Sequence, residues 1–280
     1  SKIELVTVSK EPDAIDIDKI HNEIYKEPVN AYYTTNPYVV YPHENGVDFN
    51  ISVDEAKAML NEVKDEYEIP LKYTAPSVTT NMIGTEAFPD LLAKFSTNYN
   101  ARDTDRTTNL RLAAEKINGT VLMPGETFSY NTVVGERTIA AGYKEAAMYQ
   151  NGEVVDGLGG GICQISTTLY NAVLYSNLEI VERRNHQFVP SYAKAGRDAT
   201  VVYGSIDFKF KNTRNYPVKI LCTVSGGVAK CEIYGLKENP DYDVEITSRV
   251  TETTATSIKS ETYKTVRQNG QVISLSLIHI

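Results

Sequence analysis

A cysteine that follows three glycines is the residue in this chain best placed to do chemistry. The run Gly159-Gly160-Gly161-Ile162-Cys163-Gln164-Ile165-Ser166 puts a flexible turn directly before a helix. Glycine lets backbone approach a ligand closely, and a cysteine in the first helical turn meets the positive end of the helix dipole, which favours thiolate. A nucleophilic cysteine also needs a base, normally histidine, and a third group to orient it. Of the four histidines, His21 falls on an N-terminal helix, His43 in a proline-flanked loop and His279 in an atypical tail. His186, in Arg183-Arg184-Asn185-His186, is the candidate base, and Asp198, in Gly196-Arg197-Asp198-Ala199, the candidate orienting acid. Each residue also has a structural alternative: a small buried residue at a helix start, a strand-end side chain, a turn or cap.

Arginines cluster along the same stretch at Arg102, Arg106, Arg111, Arg137, Arg183, Arg184 and Arg197. Where some converge, guanidinium forks grip a carboxylate; otherwise they are solvated or paired with acids. Arg106, Arg137, Arg184 and Arg197, with Gly159, Gly160, Gly161 and Gln164, form the candidate ligand-binding set. Gln164 and Ser166 either donate to an oxyanion or cap the helix. No His/Cys/carboxylate cluster has metal-ligand spacing, so neither a metal nor another cofactor is expected.

Two further cysteines flank a Gly226-Gly227 turn. Counting outward from a two-residue loop, Cys222 faces Cys231 as a non-hydrogen-bonded pair, where Cα atoms approach to roughly 4.5 Å. That is within disulfide range, and a bridge would place the chain in an oxidising compartment. The alternative is two small apolar residues side by side.

Composition narrows the classes. With 36 acidic and 28 basic residues the net charge is −8 and no basic stripe appears, which argues against nucleic acid and against an anionic membrane surface. No stretch approaches a membrane span and no leader is visible; a leader or anchor removed upstream is an open expectation, and membrane contact is expected only through it. Nineteen tyrosines and no tryptophan suit half-buried strands or contact with glycan and peptide.

Helix and strand signals are mixed without βαβ alternation, which predicts an α+β protein: a small α+β domain over 1–80, a larger mixed domain over 81–240, and the start of a β module over 241–280. In the first, Asp16 caps a helix bearing Ile17, Ile20 and Ile24. Tyr-rich strands at 31–33 and 38–41 flank an Asn-Pro turn. Ser52-x-x-Glu55 is a capping box opening a helix with Ala56, Met59, Leu60 and Val63 inward, followed by a strand at 69–74. In the second, Asp103 or Thr104 caps a helix bearing Leu110, Ala113, Ala114 and Ile117. A buried helix runs from about 163 to 176, and strands are expected at 178–183, 200–203, 206–210 and across the cysteine hairpin. The apolar run 274–280 breaks the polar pattern before it and is expected to be a cloning remnant or a cut domain.

Phe95-Ser-Thr-Asn-Tyr99, Arg106-x-x-Asn109, Pro124-Gly-Glu-x-Phe128-Ser, Val134-Gly-Glu-Arg137, Gly142-Tyr, Gly159-Gly-Gly-Ile-Cys163-Gln-x-Ser-Thr-Thr-Leu-Tyr170, Arg184-x-His186 and Gly196-x-Asp198-Ala together resemble the VanW family. Residues 1–80 resemble, more weakly, a peptidoglycan-binding domain found before VanW and L,D-transpeptidase domains, and the segment from Tyr242 resembles the short β module that often follows. The resemblance implies a Gram-positive, extracellular, wall-associated setting, at the cell wall or the outer face of the cytoplasmic membrane, and a link to vancomycin-resistance clusters. The leading expectation is a protein that binds peptidoglycan or its stem peptides. The alternative is a cysteine-dependent amidase, peptidase or transpeptidase using Cys163, His186 and Asp198. The oligomeric state is left open.

Overall fold

The computed structural model describes residues 5–8, 15–35, 38–83, 88–150 and 153–279. The chain divides into two compact units, Ser1–Ala87 and Phe88–Ile280, and is α+β in class.

In the first unit, β1 (Leu5–Val8), β5 (Tyr67–Thr74) and β4 (Gly46–Phe49) form an antiparallel sheet, and β2 (Tyr32–Thr35) pairs with β3 (Tyr38–Tyr41). The Asn36-Pro37 turn lies outside the described residues. Helix α1 (Ile17–Ile24) starts at Asp16, whose carboxylate accepts the Lys19 amide. Helix α2 (Val53–Ala58) opens on the complete Ser52/Glu55 capping box, and a short α3 spans Thr80–Ile83. Ile17, Phe49, Ala56 and Ile69 make the core. Val63 is not inward as expected but 84% exposed: α2 ends at Ala58, and the 3₁₀ turn Met59–Asn61 breaks the helical period that would have carried it inside.

The second unit is built around α6 (Ile162–Tyr175). Twelve of its fourteen residues are buried, the signature of a core helix covered on all sides. Over it lies a four-stranded antiparallel sheet in the order β6 (Asp90–Asn98), β14 (Val228–Gly235), β13 (Val218–Ser225), β7 (Val121–Leu122). Helix α4 (Thr104–Ile117), capped by Asp103, adds Leu110, Ala113, Ala114 and Ile117 to the same core. A second small sheet, β11 (Glu179–Glu182), β12 (Lys209–Lys211) and β8 (Thr127–Ser129), contributes Phe128 and Phe210, stacked 4.9 Å apart. The short α5 (Tyr130–Val134) follows β8 directly. The hairpin β9 (Glu145–Gln150) and β10 (Glu153–Leu158) leads into the glycine turn. Residues 200–203 do not form the expected strand: Thr200 and Val202 each make one isolated bridge, to Arg184 and Ile206, because the backbone turns at 203–205 before a ladder can extend.

Cys222 and Cys231 pair in the anticipated register. The Cys222 amide points away from β14 to Asn118 Oδ1 at 3.0 Å, as a non-hydrogen-bonded position requires. The expected disulfide is absent, however: both are free thiols with sulfurs 2.9 Å apart. Each sulfur lies buried in the apolar core between α4 and the sheet, so the pair serves there as two small packed residues.

From Asp243 the chain forms an antiparallel sheet, β15 (Asp243–Thr253), β16 (Ile258–Gln268) and β17 (Gln271–His279). The apolar run of the tail belongs to β17, where Val272, Ile273, Leu275 and Leu277 stay exposed.

Candidate active site

The buried polar residues of α6 explain how the site is assembled. Ser166 Oγ donates to the Ala199 carbonyl at 2.7 Å, and Thr167 Oγ1 accepts the Ala199 amide at 3.0 Å. Asn171 donates to the Arg197 carbonyl at 2.8 Å and accepts Arg197 Nε at 2.7 Å. A helix that buries polar groups must satisfy them, and these four bonds fasten residues 197–199 along the helix that carries Cys163. Asp198 is therefore fixed beside it, 4% exposed.

The Asp198 carboxylate meets His186 twice: Oδ2 accepts from the His186 amide at 2.6 Å and lies 2.6 Å from His186 Nδ1. Arg183 supports the acid from behind, with Nε donating to the Asp198 carbonyl at 2.7 Å and Nη2 at 3.4 Å from Oδ1. With Nδ1 engaged, the other ring nitrogen is left for the Cys163 thiol, which lines the same pocket and interacts electrostatically with His186. The sulfur also sits 3.6 Å from Thr200 Oγ1 and accepts the Val201 amide at 3.5 Å.

Burial disfavours every charged form here, but the contacts outweigh it. Burial pushes the Cys163 thiol up, and the interaction with His186 together with the contacts to Val201 and Thr200 more than reverses this, leaving it below the usual thiol range. Burial likewise lowers the His186 imidazole, yet the bonds to Asp198 and Cys163 lift it to about 9. Asp198, raised by burial and lowered by His186 and Arg183, ends below the ordinary carboxylate range. The Cys163 and His186 shifts both run in the direction of a thiolate–imidazolium pair braced by a carboxylate.

Cys163 and His186 open into a pocket of about 120 Å³ with Arg106, Gly159, Tyr192 and Val201 in its wall and Ala147, Met148 and Leu158 from the β9–β10 hairpin. The glycines shape its floor. Gly161, with φ +105°, is the helix N-cap in a conformation side-chain-bearing residues rarely adopt. Asn109 clamps the turn, donating to the carbonyls of Gly160 and Lys144, each at 2.9 Å. The Ile162 and Gln164 amides bond to Gly159 and Gly161, whereas the Cys163 amide meets no acceptor among the described residues. It stands beside the sulfur at a helix N-terminus, where an oxyanion would form.

A Cβ at Gly160 would lie 2.1 Å from the Ala146 carbonyl oxygen. Gly160→Ala must therefore push the turn off β9. It is expected to cost about 1–3 kcal/mol in urea denaturation, and to change the alkylation rate of Cys163 by displacing the start of α6.

The remaining candidates divide. Arg106 lines the pocket, held by Gln164 Oε1 at 3.0 Å and the Ala147 carbonyl at 3.3 Å. Gln164 is committed on its other side to Thr97 Oγ1 and the Asn98 carbonyl, and Ser166 to α6 and Ala199, so neither donates to an oxyanion. Arg137 lies beneath the turn: its Cγ would be 3.1 Å from a Cβ on Gly159, its Nη1 donates to Asn131, its guanidinium packs over Tyr130 and Tyr203, and its Nε and Nη2 are buried without a hydrogen-bond partner among the described residues. Arg184 is exposed. Arg197 is buried, its guanidinium packed over Phe95 and Tyr175. The candidate set drawn from sequence left out Tyr192 and the β9–β10 hairpin, and also Arg183, noted only as one of the clustered arginines, and Asn109, noted only in the Arg106-x-x-Asn109 motif. Asn109 alone carried a signal, lying one helical turn after Arg106.

A buried helix laid on an antiparallel sheet, with Cys163, His186 and Asp198 gathered at its N-terminus, defines an α+β protein with a thiol-centred site. The family model described as VanW like protein matches residues 105–234. The YoaR protein of Bacillus subtilis is 34% identical over 221 residues, covering 78% of this chain and 72% of that protein. The vancomycin B-type resistance protein VanW of Enterococcus faecalis is 34% identical over 122 residues, covering 41% of this chain and 44% of that protein. The chain belongs to the VanW-like family. No solved structure matches it significantly.

Proposed function

We propose that this protein is a cysteine-dependent acyl-transfer enzyme, an amidase, peptidase or transpeptidase, acting on peptidoglycan stem peptides outside the cytoplasmic membrane. One observation carries the reading: His186, held by the Asp198 carboxylate at 2.6 Å, shares the wall of one pocket with Cys163. A protein that only bound wall material would have no use for a thiol held below its usual range. The wall context is supported by similarity to a vancomycin-resistance protein.

The Cys163 thiolate attacks the amide carbonyl, and the tetrahedral oxyanion forms beside the Cys163 amide. The His186 imidazolium gives its proton to the departing amine as the C–N bond breaks, leaving a thioester on Cys163. Neutral His186 then takes a proton from water or an acceptor amine, which attacks the thioester and releases the thiolate. Asp198 holds the imidazole through Nδ1 throughout.

Iodoacetamide alkylation across pH tests the pair. The rate is expected to rise through an inflection below the ordinary thiol value of about 8.5. The thiolate–imidazolium form should persist until His186 deprotonates near pH 9. In His186→Ala the inflection should move above the ordinary value, because burial remains and the compensating imidazole is gone. A wild-type thiol that titrates like free cysteine, indifferent to loss of His186, would end the catalytic reading and restore simple binding.

A further inference from the structure

The charges around the cleft point to the substrate. Two depressions adjoin the Cys163 pocket: one shares Arg106, Ala147, Met148 and Tyr192 with it, and the other, reached across Tyr192, is lined by Phe95, Tyr175, Lys194 and Arg197. In a chain of net charge −8, this continuous cleft carries Arg106, Lys194 and Arg197 and no Asp or Glu in its walls. Its arginines are held by neutral oxygens alone, Arg106 by Gln164 and Ala147, and Arg197 by Asn171 and Tyr175. Among the described residues, none of the three cations takes part in an ion pair. Uncompensated positive charge in a walled cleft focuses anions. Holding a guanidinium with neutral partners fixes its direction without cancelling its field, which suits recognition of a carboxylate.

We propose that the cleft selects an anionic substrate, a peptide with a free carboxylate close to the attacked amide, received at Tyr192 between Arg106 and the Lys194–Arg197 end. The proposal rests on the acyl-transfer reading for the position of the attacked bond.

Matched peptides test it on the full chain. Acetyl-trialanine with a free C-terminal carboxylate is compared with its carboxamide, and succinyl-trialanine amide with acetyl-trialanine amide. Stem peptides with free and amidated carboxyls form a third pair. Binding is read on Cys163→Ala by fluorescence anisotropy, and kcat/KM on the wild type. In at least one pair the carboxylate form should be favoured about tenfold or more, with the preference shrinking in high salt. Arg106→Gln and Lys194→Gln should each move the ratio toward one, and an unchanged melting temperature and circular dichroism spectrum would report that each variant remains folded. Equal binding and equal turnover within every pair would overturn anionic selection and leave acyl transfer standing. A carboxylate preference in binding without turnover of any peptide would support the selection and count against acyl transfer. Failure of every peptide to bind would overturn the selection.

Discussion

Cys163→Ala is expected to reduce kcat/KM on any amide the protein turns over by about 10⁴-fold or more, and to leave its melting temperature nearly unchanged. In the proposed acyl transfer the sulfur forms the bond to carbon, and among the described residues Cys163 supplies the one thiol in the pocket wall. Removing a nucleophile from an interdependent set costs most of the catalytic advantage of that set. Stability should hold because the thiol is only half-buried and its contacts to Thr200 and Val201 are long. Mass spectrometry adds an independent readout: a thioester adduct trapped on the wild type and missing from the variant. Turnover of muropeptides that persists undiminished in Cys163→Ala would remove Cys163 from the chemistry.

Asp198→Asn should be the second most damaging change, lowering kcat by about 10²–10⁴-fold. The amide is nearly the same shape but carries no charge, so burial again dominates at His186 and its pKa falls from about 9. The proton then no longer rests on the imidazole, and the thiol returns toward its neutral form. Loss of the charge also leaves the Arg183 guanidinium without its acid partner, 8% exposed, which should cost about 1–3 kcal/mol. A structural role alone would lower stability without moving the alkylation inflection. A positioning role predicts that the inflection rises. Wild-type kcat and an unmoved inflection in Asp198→Asn would dismiss the acid from the mechanism.

The local rules read from sequence fared well where one short segment decides the outcome. Asp16, Asp103 and the Ser52/Glu55 box cap helices because capping needs only neighbours in the chain. The Gly226-Gly227 turn sets the register of its hairpin for the same reason. Strand β6 was missed because its partner, β14, lies more than a hundred residues away. The extended segment at 200–203 lost its ladder to a turn that tertiary packing imposes.

For the site, the types Cys163, His186 and Asp198 were legible, because few residues can serve as nucleophile, base and acid. Their assembly was not, since it depends on polar residues of α6 that read as ordinary helix surface until Ser166, Thr167 and Asn171 find the backbone of 197–199. Arg183 is silent in sequence for a similar reason, being one of seven arginines in the same stretch.

The division of labour between elements bears on how such proteins diversify. The reacting side chains come from α6 and the segment after it, whereas one rim of the pocket is the hairpin pair Ala147 and Met148 with Leu158. What α6 and the glycine turn require of that hairpin is its main chain at Ala146 and Ala147. Side chains at 147 and 148 are therefore freer to change than Leu158, which packs against the core, so exchanging those two would reshape the rim without disturbing Cys163, His186 and Asp198.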